Sequence, residues 1–164
     1  MRNDNRGISL VEILAVISIL IILVSGGINI HRQLGDADTK EIVQRINAAM
    51  AEVRMETMCK ARKQYLFLYT IEGAVYMKKS TEASAATAAL DAASGQKLSN
   101  RITLSYRITP FSETDLVPGA VLCISFERGS GIFDSEVEFL KVSSADHTSV
   151  ITCIRETGRH WVDR

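Results

Sequence analysis

The sequence RGISLVEILAVISILIILV, residues 6–24, decides how the rest of the chain is interpreted. It places a single carboxylate, Glu12, near the start of an apolar run that carries no other charge. A charged side chain within a segment of membrane length is costly, and by default it indicates a functional role. A short polar segment that ends in Arg6-Gly7 stands directly before this run.

Residues 8–28 have the length of a membrane-spanning helix. A helix of that length rises roughly 30 Å, about the thickness of the hydrocarbon layer. Arg2 and Arg6 precede the segment, so we expect the N-terminus in the cytoplasm and the chain after Arg32 outside. The pattern predicts a transmembrane helix over residues 8–28 in a single-pass protein whose C-terminal domain lies outside.

Three interpretations of this segment compete. A cleaved secretory signal peptide would be cut near Ser25-Gly26, but its apolar region is normally 7–15 residues long and carries no acid. A plain signal anchor would tolerate Glu12 near the membrane interface. In the third interpretation, Gly7 and Glu12 are both functional.

On the third interpretation the segment resembles the N-terminus of the type IV pilin and pseudopilin family. Members have a short charged leader that ends in Gly, then a hydrophobic residue, and Glu as the fifth residue after the cleavage point. Here residues 1–7 form the leader, Ile8 becomes the new N-terminus, and Glu12 falls on that fifth position. Ile8 and Ser9 stand where members more often have Phe or Met and then Thr. The resemblance implies cleavage between Gly7 and Ile8 by a prepilin peptidase, followed by N-methylation of Ile8.

Glu12 has a physical role in this scheme. Four residues of helix rise ~6 Å, so Glu12 of an axially displaced neighbour can meet the new ammonium group of Ile8. Each charge alone is costly in a medium of low dielectric constant, and pairing relieves both. We therefore predict that Glu12 is an assembly residue.

The chain after the membrane segment is predicted to continue as an amphipathic helix over residues 29–64. Gly26-Gly27 is expected to interrupt the helix because Gly has a low helix propensity. From about Asp38, apolar residues recur at helical spacing. They form one stripe: Ile42, Ile46, Met50, Val53 and Thr57.

Residues 65–164 are predicted to form a β-rich domain. Strand-like segments alternate with turn signals such as Glu72-Gly73, a rhythm typical of hairpins in a mainly antiparallel sheet. Residues 80–94 read as a loop or a short helix, and Val137, Phe139 and Lys141 are expected on one face of a strand. The fold class is therefore α+β, and the resemblance makes it pilin-like: a long N-terminal helix packed on the sheet domain.

The same region resembles, more weakly, the GspH/FimT type of minor pseudopilin. The carrying segments are Ile124-Ser125-Phe126, residues 151–154 and Gly158-Arg159. Some FimT-like proteins contact DNA through a C-terminal Gly-Arg-x-Arg. Here Trp161 replaces the second Arg, so Arg159 and Arg164 are candidate nucleic-acid contacts, and the alternative is an edge strand with Trp161 partly buried.

No catalytic, metal or cofactor site is expected. The formal net charge of zero gives no bulk attraction to nucleic acid or anionic lipid. The three cysteines either include one disulfide or are all small buried side chains, and neither they nor the histidines have metal-site spacing. These residues are Cys59, Cys123, Cys153, His31, His147 and His160.

The resemblance implies a minor pilin or pseudopilin of a type II secretion, type IV pilus or competence filament. It would be the substrate of an enzyme rather than an enzyme. Its partners would be the prepilin peptidase, other pilins and an inner-membrane assembly platform. Two alternatives are a DNA-binding minor pilin in DNA uptake and an anchored, single-pass binding domain that never polymerises.

Overall fold

The computed structural model describes residues 10–60, 62–86, 88–108, 112–145 and 147–163, with the side chains of all but residues 23–37. These residues form one α-helix, nine strands and a short 3₁₀ turn over Arg155–Thr157, which confirms the α+β class. The elements are α1 (Leu10–Cys59), β1 (Tyr65–Ile71), β2 (Ala74–Ser80), β3 (Gln96–Ser99), β4 (Thr103–Ile108), β5 (Thr114–Asp115), β6 (Val121–Ser125), β7 (Val137–Ser143), β8 (Thr148–Ile154) and β9 (Arg159–Asp163).

Helix α1 passes through Gly26-Gly27 without a break in its backbone, so the predicted interruption was wrong. A glycine costs only about 1 kcal/mol in a helix interior, and a helix already nucleated on both sides propagates through that cost. The helix ends at Cys59, before the predicted limit at residue 64. The chain divides into two compact units, Met1–Leu34 and Gly35–Arg164.

The strands of the second unit form two sheets rather than one. The four-stranded sheet has the order β3-β2-β1-β6, and the five-stranded sheet has the order β5-β4-β7-β8-β9. Every described neighbour pair is antiparallel, as predicted. Glu72 and Gly73 join β1 to β2 with φ angles of 51° and 74°, the backbone that a two-residue type I′ turn requires.

The core of this unit lies between the α1 stripe and both sheets. All five predicted stripe residues are buried, and Val43 joins them. All of them except Thr57 pack in one cluster with side chains of the two sheets, which include Leu66, Leu68, Ile124, Leu104, Leu140 and Ile151. Because full burial of such a side chain contributes roughly 1.5–3 kcal/mol, this cluster is the main source of stability.

A second, smaller cluster lies under the segment between β2 and β3. Phe67, Tyr69 and Tyr76 are buried there, and the two tyrosine rings stack with centroids 5.7 Å apart. Tyr69 donates a hydrogen bond to the Asp91 carbonyl at 2.8 Å, and Lys78 donates one to the Ala89 carbonyl at 2.8 Å. The described part of residues 80–94 contains turns and bends and no helix, so of the two predicted alternatives it is a loop.

Strand β7 departs from its predicted pattern. Val137 is buried as expected, but Leu140 and Val142 share the core with it, while Phe139 and Lys141 are only partly buried. The cause is a register irregularity opposite Arg107 and Ile108, where the pairing skips one residue of β7. A bulge of this kind moves all later side chains of a strand to the other face.

Arg54 of α1 donates hydrogen bonds to two loops of the β-rich domain. Its Nε donates to the Gly131 carbonyl at 2.9 Å, and one terminal nitrogen donates to the Thr157 carbonyl at 3.0 Å. The two loops touch at Gly158, which has φ 63° and follows the 3₁₀ turn. A Cβ on Gly158 would lie 1.8 Å from the Gly131 carbonyl oxygen.

We therefore expect Gly158→Ala to destabilise the protein by about 3 kcal/mol or more, because it adds a backbone clash to the strain of a positive φ. The matched control is Gly73→Ala, where φ is 74° but no atom lies within 4 Å of the new Cβ. That variant should lose only about 1 kcal/mol. Urea denaturation of the full chain compares the two, and equal losses would contradict the role of the loop contact.

Candidate functional site

The first described turns of α1 carry an exposed apolar surface. The large hydrophobic side chains between Leu10 and Ile22 are 49% to 79% exposed. The exposed positions lie on every side of the helix, since each residue of this stretch is in the exposed class. The Ser18 hydroxyl donates a hydrogen bond to the Leu14 carbonyl at 2.8 Å, so its donor is satisfied within the helix.

A helix that is apolar on all sides is normally covered by other protein or by lipid. Among residues 10–22, Glu12 is the one charged side chain, and it lies in the first turn of α1 as described. A carboxylate near a helix N-terminus interacts favourably with the helix dipole. This stretch therefore combines an exposed apolar surface with one charged side chain.

Several predicted residues of this site lie outside the described residues. These are Gly7 and Ile8, at the predicted cleavage and methylation site, and the rest of the leader. Within the described residues, no helix has both the length and the apolar character needed to cross a membrane. The span predicted over residues 8–28 stays a prediction.

The candidate nucleic-acid contact Arg159 is exposed at the start of β9, and Arg164 lies outside the described residues. Trp161 is 41% exposed, and its Nε1 donates to the Asp163 carboxylate at 2.8 Å. Nη1 of the nearby Arg155 lies 3.3 Å from Oε1 of Glu136. The structure thus places Arg159 on an edge strand among residues of both charges, as the alternative interpretation expected.

The environment of His160 was not predicted from the sequence. It points inward from β9, and its ring lies 6.2 Å from the ring of Phe126 and 6.1 Å from that of Phe133, measured between centroids. Its Nδ1 is 3.4 Å from the Gly158 carbonyl. Burial lowers the pKa of His160, the positive charge of Arg54 acts in the same direction, and the carbonyls of Gly158 and Asn47 oppose them.

The cysteines differ from one another in burial. Cys153 is buried, and this burial raises the pKa of its thiol to about 12. Cys123 is half-buried and Cys59 is exposed, so the prediction that all three are buried was wrong. All three are free thiols. In the described part of the chain, no group of three or more His, Cys, Asp or Glu side chains could hold a metal ion.

Comparison of the chain with protein-family models, with curated proteins and with solved structures finds no match.

The environment of His160 predicts a pH dependence. Its pKa in the folded state lies below the ordinary value of 6.5, so the unfolded state binds the proton more readily. The free energy of unfolding should therefore be fully retained above about pH 7 and should fall as the pH drops from the ordinary pKa through the lowered one.

Urea denaturation of the full chain between about pH 7.5 and pH 5 measures this loss. His160→Gln should reduce the pH dependence, whatever its effect on stability at neutral pH. His147→Gln, in the turn before β8, is the control and should keep the dependence of the parent chain. A dependence that survives unchanged in His160→Gln would show that other groups cause it.

Proposed function

We propose that this protein is a minor pilin or pseudopilin subunit, which assembles through its N-terminal helix. The observation that carries the proposal is the exposed apolar surface of residues 10–22 with Glu12 as its one charge. The β-rich unit supports it, because the α1 stripe closes the core of that unit without any of the apolar residues 10–22.

The apolar surface keeps the N-terminal helix in lipid or in a helical bundle. Burial of apolar area contributes roughly 25 cal/mol per Å², so helices with such surfaces associate or stay in lipid rather than face water. Transfer from lipid to a helical bundle adds little hydrophobic energy, because both environments are apolar. A filament therefore needs a polar contact that exists only between subunits.

Glu12 supplies that contact in the proposed filament. Cleavage after Gly7 would create an ammonium group on Ile8, and Glu12 of a neighbour would pair with it in the apolar interior. A buried charge pair of this kind fixes register, and removal of one partner leaves the other charge uncompensated. The protein would be held in the inner membrane before assembly, with its β-rich unit outside.

A filament subunit differs from the main alternative, an anchored domain that never polymerises, in its need for Glu12. An anchor needs the apolar surface but has no use for the carboxylate. A filament subunit needs both.

Glu12→Ala should leave the amount of protein in the membrane fraction unchanged and should reduce its recovery with sheared filaments at least about tenfold, because an unpaired ammonium would be buried. Ser18→Ala is the matched control. It changes a polar residue of the same exposed stretch whose hydroxyl is satisfied within its own helix, and it should behave like the parent chain.

Immunoblots of membrane and filament fractions from the producing cells measure both quantities. Normal recovery of Glu12→Ala in filaments would reject the role of the carboxylate. Absence of the parent chain from filaments would favour the anchored domain.

A further inference from the structure

Strand β9 is an open edge of the five-stranded sheet. Among the described residues it pairs with β8 alone, in a regular register from Ile154–Arg159 to Val150–Asp163. An edge strand presents unpaired backbone groups that favour the addition of another strand. This edge is therefore a surface on which a partner strand can continue the sheet.

Two of the other described edges are short or irregular. Strand β5 has only two residues, and β3 has four, with a register irregularity in its pairing to β2. On β6, the carbonyl of Ser125 already accepts a hydrogen bond from the Asp134 amide at 2.9 Å. Short or bulged edges resist strand addition. Strand β9 has five residues in regular pairing, as β6 does, and its first amide, that of Arg159, donates to the Thr157 hydroxyl at 3.3 Å.

The side chains of β9 alternate between two faces. Arg159, Trp161 and Asp163 are exposed on one face, while His160 and Val162 are half-buried on the other. The Asp163 carboxylate accepts hydrogen bonds from Trp161 Nε1 and from the Thr152 hydroxyl. The exposed face thus has a cation at one end, an aromatic ring in the middle and an anion held in place at the other end.

This order of side chains along β9 is self-complementary when two copies of the strand pair in antiparallel fashion. If two copies of β9 pair about Trp161, each Arg159 lies opposite the Asp163 of the other copy, and the two Trp161 side chains lie opposite each other. Opposite charges and aromatic pairs directly across antiparallel strands are both stabilising. The half-buried His160 and Val162 then lie opposite each other on the inner face.

Other registers fit less well. A shift by one residue would place exposed side chains opposite half-buried ones and exchange the faces of the sheet. A shift by two residues would set Arg159 or Asp163 opposite Trp161 and lose both charge pairs. The twofold arrangement about Trp161 keeps the faces and pairs all five residues.

We propose that β9 is a homodimerisation edge, on which a second copy of this chain adds its own β9 antiparallel about Trp161 to join two five-stranded sheets. The contact is isologous, so it closes on itself and gives a dimer rather than an open polymer. The contact lies within the Gly35–Arg164 unit. It does not depend on whether the chain enters a filament.

Charge exchange tests the pairing in the full chain in detergent. Arg159→Asp sets like charges opposite each other at both ends of the contact, and so does Asp163→Arg. Each should weaken dimerisation about tenfold in sedimentation equilibrium, because a favourable cross-strand pair becomes a repulsive one at two symmetric positions.

The double exchange Arg159→Asp with Asp163→Arg restores opposite charges and should recover most of the dimer. It does not restore the hydrogen bonds of the native Asp163 to Trp161 and Thr152, so recovery reports the contact between copies rather than the stability of each copy. A double variant no better than the single ones, or a chain that stays monomeric in all four forms, would overturn the proposal.

Cross-linking separates this contact from association through the apolar helix. In a Cys59→Ser background, Trp161→Cys should form a disulfide between two copies, since opposite residues of antiparallel strands have Cα atoms about 4.5–5.5 Å apart. Lys97→Cys on the β3 edge is the control and should cross-link several-fold less. Equal cross-linking of the two variants would mean that the association does not use β9.

Discussion

The structure of the β-rich unit depends on the burial of one apolar stripe of α1. Ile42, Val43, Ile46, Met50 and Val53 lie in a cluster to which both sheets contribute side chains, so the helix and the two sheets share one core. Arg54, next to this stripe in sequence, donates hydrogen bonds to two loops of the domain through the carbonyls of Gly131 and Thr157. The same helix begins with a stretch whose apolar side chains stay exposed. Apolar side chains that are not buried within their own chain are expected to be buried against partners or lipid. The contrast between the buried stripe and this exposed stretch of α1 is the basis of the proposed assembly role.

Much of the fold follows from local pattern. The stripe of α1 has helical spacing over four turns, and five of its residues were predicted and are buried. The β1–β2 hairpin follows from Glu72-Gly73, because two residues with positive φ match the twist of the flanking strands. The antiparallel pairing of β1 with β2, of β7 with β8 and of β8 with β9 follows from the short connections between these strands.

The remaining features depend on contacts between residues far apart in sequence. The division into two sheets reflects how strands pair around α1, which no single strand specifies. The bulge in β7 adds one residue to the pairing and changes the face of Phe139 and Lys141, although their local alternation is regular. His160 looked like an ordinary edge residue, and only the packing of Phe126, Phe133 and α1 around it makes it half-buried. For the N-terminal site the position-specific signal of Gly7, Ile8 and Glu12 was visible in the sequence, whereas the cleavage and methylation sites lie outside the described residues.

In the proposed assembly, Glu12 acts together with an ammonium group that cleavage creates, so the state of the N-terminus tests this role most directly. Intact-mass measurement and N-terminal fragmentation of the full protein, purified from the membranes of the cells that produce it, define that state. We expect a chain that begins at Ile8 with a methylated amine. A chain that keeps Met1, or one that begins near Gly27 after removal of a signal peptide, would contradict it.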